Sequence, residues 1–183
     1  MSRQFKLSKS KLLAYRQCPK RLWLQTHRPE LAEVDAATSA VMANGTTVGE
    51  VFRSLYANGV LIDDENLGDA LASTRVILGA DPTRPIFEAT FEANDVLVRV
   101  DMLAPSENGY HLIEVKSSTS VKDYHLDDAA IQTWVTNLAG IQVTRTAIVH
   151  IDNRFVYSGD NQYAGLFIER TVDEQVSERL PGI

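Results

Sequence analysis

The stretch "IFEATFEANDVLVRVDMLAPSENGYHLIEVKSS", residues 86–118, alternates apolar and polar residues with a period of two. This period is typical of β-strands that bury one face. Asn94 and Asp95 suit a two-residue hairpin turn, which pairs Phe91 with Val98 so that apolar side chains face each other. A three-residue loop would place glutamates beside valines. We therefore predict consecutive antiparallel strands in this stretch.

The predicted register brings three carboxylates together. A second turn at 106–109 sets Asp101 opposite Glu114, and the first turn sets Asp101 opposite Glu88. Directly opposed side chains lie about 4.5–5.5 Å apart at Cβ, and like charges at that distance are destabilising. The row therefore needs a compensating cation.

Two interpretations of this row remain open. Arg99 and Lys116 lie one step along the same face, so an exposed face would carry diagonal ion pairs from Asp101 to Lys116 and from Glu114 to Arg99. Exposed pairs of this kind contribute about 0–1 kcal/mol each. Alternatively, the carboxylates bind a hard divalent ion such as Mg²⁺ or Mn²⁺. Lys116 would then position or deprotonate the attacking water of a phosphodiester-cleaving site.

The rest of the chain predicts helices around this sheet. Ser8 caps a short helix that runs to Arg16, and Pro19 starts a second one. Further expected elements are a helix over 67–78 that ends at "DPTRP", a helix at "AAIQTWV", a strand pair "TRTAIVHID" and "RFVYSG" turning at Asp152-Asn153, and a strand at "LFIERTV". We predict an α/β fold with a mixed central sheet flanked by helices.

Length and composition predict a single domain over residues 1–183, since 183 residues with 44% apolar content bury one core. Within it we expect a basic helical arm at 1–28 and a sheet core with the active site at 86–172. No run of about 18 apolar residues and no signal-peptide pattern occur. We therefore expect a soluble, cytoplasmic protein without a membrane partner.

The charge is unevenly distributed along the chain. The net charge is −6, yet residues 1–28 hold eight basic residues and no acid, while the remainder holds ten basic residues and all 24 acids. A basic segment on an acidic body suits phosphate contacts, although a solvated basic helix pair explains the charge equally well. The predicted nucleic-acid-binding residues are Lys9, Lys11, Arg16, Lys20 and Arg21.

Several other site chemistries have little support in the sequence. The single cysteine, Cys18, excludes an internal disulfide and any four-cysteine metal site built from this chain alone. The sequence holds no P-loop, GxGxxG or GxSxG motif. The four histidines show no ligand spacing, so we predict surface or capping roles for them: His27, His111, His125 and His150.

These residues resemble a known family. An aspartate at a strand end ("RVD") followed by Glu-x-Lys on the next strand ("IEVKSS") resembles the PD-(D/E)XK nucleases. The opening "LSKSKLLAYRQCPKRLWL" is similar to the start of RecB-like nucleases and CRISPR-associated adaptation exonucleases, and "AAIQTWV" stands where those proteins have a helix bearing glutamine. The resemblance spans about residues 6–170. It implies a restriction-endonuclease-like fold and an Mg²⁺- or Mn²⁺-dependent deoxyribonuclease that acts on single strands or ends.

The resemblance also implies roles for individual residues. Asp101 and Glu114 would be metal ligands, with the backbone carbonyl of Val115 as a third. Lys116 would position the water and stabilise charge. Gln132, on the following helix, would approach the DNA or the site, although an ordinary surface glutamine fits its position equally well.

The sequence departs from the family pattern at two places. Where RecB-like proteins commonly carry a histidine on an N-terminal helix, "GTTVGEVF" offers Glu50, which can serve as a metal ligand or be a solvated neighbour of Arg53. The register adds Glu88 to the candidate metal ligands. Thr136 stands where the family has an aromatic residue four positions after the glutamine, and this departure weakens the prediction for Gln132.

In the iron-sulfur branch of this family, a cysteine in the "YRQCP" context joins three C-terminal cysteines around a cluster. Residues 171–183 contain no cysteine. We therefore expect no iron-sulfur cluster in this chain and a small, buried Cys18. The chain would be a fragment or a reduced relative of that branch.

The alternative function is a catalytically inactive module of the same fold that binds nucleic acid or a protein partner. A protein partner within a larger DNA-processing system is compatible with either function. The two functions differ in whether the carboxylate row binds metal.

Overall fold

Helices fill the first part of the chain and strands the central part, as the change of period predicts. The computed structural model describes residues 7–32 and 36–183, with side chains from residue 44 onward in the second range. The helices are α1 Lys9–Gln17, α2 Pro19–His27, α3 Ala36–Ser54, α4 Leu67–Ala80, α5 Asp123–Leu138 and α6 Asp173–Arg179, with short 3₁₀ helices at Pro29–Leu31 and Leu180–Gly182. The strands are β1 Leu7–Ser8, β2 Val60–Leu61, β3 Ile86–Ala93, β4 Val96–Ser106, β5 Gly109–Lys116, β6 Val143–Ile151 and β7 Phe167–Thr171.

The strands of the described ranges form one mixed sheet in the order β2-β3-β4-β5-β6-β7, and β1 pairs in parallel with the start of β4. Strands β3, β4 and β5 are an antiparallel meander. The chain then crosses through α5 to β6, which pairs in parallel with β5. The predicted α/β class with a mixed sheet flanked by helices is confirmed.

Both predicted hairpin turns are present. Asn94 and Asp95 have φ angles of 49° and 61°, the left-handed conformation that a two-residue type I′ turn requires at both positions. The turn pairs Phe91 with Val98, as the apolar alternation predicts. The second turn, at 106–109, joins β4 to β5.

Helices cover both faces of the sheet. One face packs against residues from α1, α4 and α5, around a core that includes Ala70, Val98, Leu112, Ile131 and Val135. The other face packs against α3 through Phe52, which lies with Phe87, Met102, Ile113 and Val149. None of the helices in the described ranges combines the length and apolar character needed to cross a bilayer.

Three features differ from the sequence prediction. The expected strand "RFVYSG" is wrong, because residues 152–166 form turns and loop before β7. The two-residue strands β1 and β2 were not expected, since two residues are too short to show a period. The first helix of the predicted basic arm is also part of the core, because α1 contacts α5 and β4 and buries Ala14.

Candidate active site

The alternation of side chains breaks where the carboxylates lie. Ile86 and Ala89 belong to the same core cluster although they are three residues apart, and Glu88 between them has a φ of 58°. Val100 and Leu103 show the same three-residue step around Asp101. Because both strands shift together, their register is kept, but the side chains at the break leave the regular pleat.

Glu114 is the centre of a buried charge cluster. Its side chain is 2% exposed. Lys116 Nζ contacts Glu114 Oε1, and Lys9 Nζ from α1 lies 3.5 Å from the same oxygen. Gln132 Nε2 of α5 donates a hydrogen bond to the other oxygen, Oε2. Two cations and an amide therefore hold both oxygens of this carboxylate.

Asp128 completes the cluster from α5. Its Oδ2 lies 2.6 Å from Lys116 Nζ, and its Oδ1 lies 3.0 Å from Lys9 Nζ. Gln132 Nε2 also donates to Asp128 Oδ1 at 3.0 Å. Asp128 and Glu114 thus share the same two lysines. Sequence reasoning did not select Asp128, although it lies four residues before Gln132 and therefore on the same helix face.

Asp101 reaches the cluster from the next strand. Its Oδ2 accepts a hydrogen bond of 2.7 Å from the backbone N–H of Val115. This contact replaces the regular strand pairing, which ends at Met102 and Ile113. Asp101 therefore lies beside Glu114, since it accepts from the residue that follows Glu114 on β5.

The cluster contains three carboxylates but only two lysines among the described residues. The surplus of carboxylates shifts the pKa values of the acids. Burial and the charge of Glu114 raise the pKa of Asp101 to about 8. The same two causes raise the pKa of Asp128. Burial alone would raise the pKa of Glu114, but the charges of Lys116 and Lys9 outweigh it and lower the pKa. One more positive charge would therefore be stabilising beside Asp101.

The lysines respond in the opposite sense. Burial alone would lower the pKa of Lys116, but Glu114 and Asp128 outweigh it and raise the pKa. The pKa of Lys9 is raised by the same two carboxylates against the same effect of burial. Both amines are therefore held as ammonium ions. In this state they neutralise charge and donate hydrogen bonds, and neither is a proton acceptor.

A cavity of about 190 Å³ opens beside Asp101, between the sheet and α3. Its lining comprises Gly45, Thr46, Gly49, Phe52, Arg53, Glu88, Asp101 and Val115. Gly45 of this lining is exposed, and a Cβ there would have no neighbour within 4 Å. The cavity gives Asp101 and the Val115 backbone access from outside the cluster.

Two of the candidate metal ligands lie away from Glu114. Glu88 is turned toward α3, where its Oε1 lies 3.7 Å from Arg53 Nη1. The expected row is present only in part: Glu88 lines the same cavity as Asp101, whereas Glu114 does not line it, and the left-handed backbone at Glu88 interrupts the regular alternation. Glu50 is exposed and does not line the cavity.

The interpretation as an exposed face with diagonal pairs is also wrong. Glu114 is buried, and its partners are Lys116 and Lys9. Arg99 instead donates to the carbonyl oxygen of Asp64 at 2.7 Å and to Thr90. The alternative of an ordinary surface glutamine at Gln132 is wrong, because its side chain is fully buried.

The predicted nucleic-acid-binding residues have several different environments. Lys9 lies inside the cluster, and Arg16 pairs with Asp127 at 3.0 Å while donating to the carbonyl of Gly182. Lys20 and Arg21 are exposed on α2. Arg21 donates to the neutral side chain of Gln17 and so keeps an exposed charge.

Cys18 and the histidines partly differ from expectation. Cys18 is exposed at the junction of α1 and α2, so its predicted burial is wrong. His125 accepts a hydrogen bond of 3.1 Å from the backbone N–H of Lys122 and so caps α5, as predicted. Burial and the charge of Lys116 lower its pKa to about 4. His150 is buried, contrary to prediction.

The donor set fits a hard divalent cation. Within the described part of the chain, no group of three or more His, Cys, Asp or Glu side chains converges as a ligand set. Mg²⁺ does not need three protein side chains, because it is commonly bound through one or two carboxylates, with water and phosphate oxygens in the remaining positions. Asp101 and Glu114 supply two carboxylates on adjacent strands, and because the pKa of Asp101 is raised, a cation beside it would stabilise its ionised form.

Asparagine at position 101 should stabilise the metal-free protein at high pH. Between about pH 4 and pH 8 the folded protein holds a proton on Asp101 that the unfolded chain has lost, so this group's contribution to stability falls as pH rises. The substituted amide stays neutral, and its oxygen can still accept from Val115. We expect the free energy of unfolding of Asp101→Asn to be roughly 2–5 kcal/mol greater than that of wild type at pH 9 in EDTA.

Urea unfolding from pH 4.5 to pH 9 measures this difference. Asp160→Asn, at an exposed position, is the matched control and should follow wild type at every pH. An Asp101→Asn variant whose stability tracks wild type across this range would show that Asp101 is ionised at no cost.

Comparison with known proteins shows similarity of low extent. No family model matches the chain, and no curated protein matches it. Among solved structures, the chain is similar to one titled "Crystal structure of SSO0001", with 16% identity, a TM-score of 0.44, and coverage of 100% of this chain and 78% of that chain. A similarity of this size carries no argument about function.

Proposed function

We propose that the protein is a divalent-metal-dependent deoxyribonuclease with a restriction-endonuclease-like sheet, similar to PD-(D/E)XK nucleases of the RecB-like type. One observation carries the proposal. Asp101, in the middle of β4, lies beside Glu114 and Lys116 at the end of β5, where the pairing of the two strands stops, and the cluster contains more carboxylates than cations.

A purely structural role accounts poorly for this cluster. Burying an ion costs several kcal/mol before its partners are counted, and replacing a buried ion pair by apolar residues is often neutral or stabilising. The core on either side of the cluster is apolar, so the fold has no need of charge at this position. Strongly shifted pKa values beside a cavity are typical of functional sites.

The residues divide into groups that hold a cation and groups that position others. Asp101 and Glu114, with the Val115 carbonyl, would hold the divalent ion. When bound, the ion would stabilise the charge on the attacking and leaving oxygens. Lys116, which contacts Glu114 and Asp128, would donate hydrogen bonds to a phosphate oxygen or to the attacking water.

Gln132 would fix the orientation of Glu114. Its amide nitrogen donates to Glu114 and Asp128. Because carboxylates accept and cannot take an amide oxygen as partner, these contacts determine the orientation of the amide. Its Oε1 is buried and has no hydrogen-bond partner among the described residues. A buried acceptor of this kind suits a water molecule in the completed site.

A non-catalytic module of the same fold is the second candidate. The observation that favours it is the position of Lys9, which lies against Glu114 and Asp128 and supplies positive charge without any metal. In such a module the cluster would be a structural ion network, and the protein would bind nucleic acid or a protein partner without cleaving it.

A cleavage assay separates the two candidates. Purified protein is incubated with end-labelled single-stranded and duplex DNA in Mg²⁺, Mn²⁺ or EDTA. The nuclease proposal predicts shortened products with either metal and intact DNA in EDTA. Intact DNA under all metal conditions, with the protein folded by circular dichroism, would favour the non-catalytic module.

A further inference from the structure

Both carboxylate oxygens of Glu114 already have partners within the protein. Oε1 contacts Lys116 and lies 3.5 Å from Lys9 Nζ, while Oε2 accepts a hydrogen bond from Gln132. A divalent ion that binds through Oε1 would replace one of the two lysines there. An ion that binds through Oε2 would lie close to both ammonium groups and be repelled by them. On either oxygen, the ion and the lysines compete for the same negative charge.

Lys9 is the more weakly held of the two lysines. Its Nζ lies 3.5 Å from Glu114 Oε1, whereas a charge-assisted hydrogen bond is about 2.7–2.9 Å long. Lys116 contacts the same oxygen more closely, and it lies 2.6 Å from Asp128, compared with 3.0 Å for Lys9. An ion that arrives at Glu114 would therefore displace Lys9 before Lys116.

The number of charges in the cluster also favours the loss of Lys9. With all three carboxylates ionised, the two lysines leave the cluster one negative charge in excess. A divalent ion added to this set would leave one positive charge in excess. With Lys9 turned away, the ion and Lys116 together balance the three carboxylates. Because uncompensated buried charge is costly, the balanced arrangement is the more stable one.

The side chain of Lys9 can leave the cluster without movement of its backbone. The preceding residue, Ser8, pairs with Leu97 of β4, and its Oγ accepts a hydrogen bond of 3.4 Å from the backbone N–H of Lys11. These contacts fix the start of α1. The Lys9 side chain is 21% exposed, so its ammonium group has a path to solvent. Rotation about the side-chain bonds is enough to move this charge out of the cluster.

We propose that Lys9 is an internal competitor of the divalent ion. Its ammonium group neutralises Glu114 and Asp128 in the metal-free protein and turns toward solvent when the ion binds. Lys9 thereby sets the metal concentration at which the site fills. The inference rests on the proposed function, because it concerns the same metal site. It predicts that removal of the ammonium group strengthens metal binding, whereas removal of a lysine that builds the site would weaken it.

Amine labelling of the wild-type protein tests the displacement of Lys9. Acetic anhydride at limiting concentration is applied in EDTA and in saturating Mn²⁺, and acetylation of each lysine is measured by mass spectrometry of peptides. We expect the acetylation rate of Lys9 to rise severalfold in Mn²⁺, because its amine is released from two carboxylates and reaches solvent. Lys20, exposed on α2, is the internal control and should react at the same rate in both conditions.

Calorimetric titration with Mn²⁺ tests the competition. Lys9→Met and Lys9→Gln both remove the charge, and glutamine keeps a hydrogen-bond donor. We expect each variant to bind Mn²⁺ about tenfold or more tightly than wild type, because like charges in a buried site repel more strongly than in water. Lys20→Met removes the same charge from an exposed position and should bind within about twofold of wild type, since solvent and salt screen that charge.

The outcomes separate this inference from the proposed function. Saturable Mn²⁺ binding by wild type, with equal or weaker binding by both Lys9 variants folded by circular dichroism, would overturn the inference and keep the metal site. Equal acetylation of Lys9 in EDTA and in saturating Mn²⁺ would also overturn it, and this measurement needs no variant. Absence of Mn²⁺ binding by wild type and by both variants would remove the metal-dependent function and the inference together.

Discussion

Alanine at Asp101 or Glu114 is expected to lower the rate of metal-dependent DNA cleavage by about 10³-fold or more, which is roughly 4 kcal/mol of transition-state stabilisation. Each substitution removes one of the two carboxylates that lie on adjacent strands beside Val115. A divalent ion would then keep a single carboxylate ligand. The measurement is single-turnover cleavage of end-labelled DNA at saturating protein and several Mn²⁺ concentrations.

Glu107→Ala is the matched control for these variants. Glu107 is an exposed carboxylate in the turn between β4 and β5. It lies between Asp101 and Glu114 in the sequence but outside the cluster. Its removal should leave the rate within about twofold of wild type, as expected for a surface change. Cleavage by the Asp101 and Glu114 variants at the wild-type rate would refute the assignment of these ligands.

Methionine at Lys116 is expected to destabilise the metal-free protein by about 3–5 kcal/mol, the usual cost of breaking a buried ion pair by removing one partner. Methionine keeps much of the side-chain volume, so the main loss is charge. Glu114, Asp128 and Asp101 would then share Lys9 as their cation within the cluster. Because the carboxylates would hold protons in the folded state, the loss should grow as pH rises.

Arg154→Met provides the contrast. Arg154 pairs with Asp152 at 2.9 Å, but its side chain is 80% exposed, so its removal should cost far less stability than the loss of Lys116. Urea unfolding in EDTA at pH 6 and pH 8.5 measures both variants. Equal small losses for Lys116→Met and Arg154→Met would show that the buried cluster is no more stabilising than a surface pair.

The sheet was predictable from sequence because its signals are local. The period of two over residues 86–118 and the left-handed tendency of Asn94-Asp95 together determine the β3–β4 register. Residues 154–159 of the loop, "RFVYSG", are predicted as a strand because they include strand-forming residues. Val156 there is 84% exposed, so no packing supports a strand.

The site was predictable only in part. Asp101, Glu114 and Lys116 follow from the strand register and from the family resemblance. Regular alternation through Glu88 predicts that it faces Glu114, whereas the left-handed backbone there interrupts the alternation, and a left-handed glutamate in a strand leaves no sequence signal. Lys9 is separated from Glu114 by 105 residues, so its entry into the cluster depends on how α1 packs against α5. No local pattern contains that information.

Isothermal titration with Mn²⁺ at pH 8 tests the central claim, that the cluster at Asp101 and Glu114 binds a divalent cation. We predict saturable binding by wild type and by Glu107→Ala with a dissociation constant below about 1 mM. This limit corresponds to a binding free energy of about −4 kcal/mol, and tighter binding gives a more negative value. Asp101→Ala, folded by circular dichroism, should show no saturable heat. Absence of binding by wild type, or equal binding by wild type and Asp101→Ala, would contradict the account.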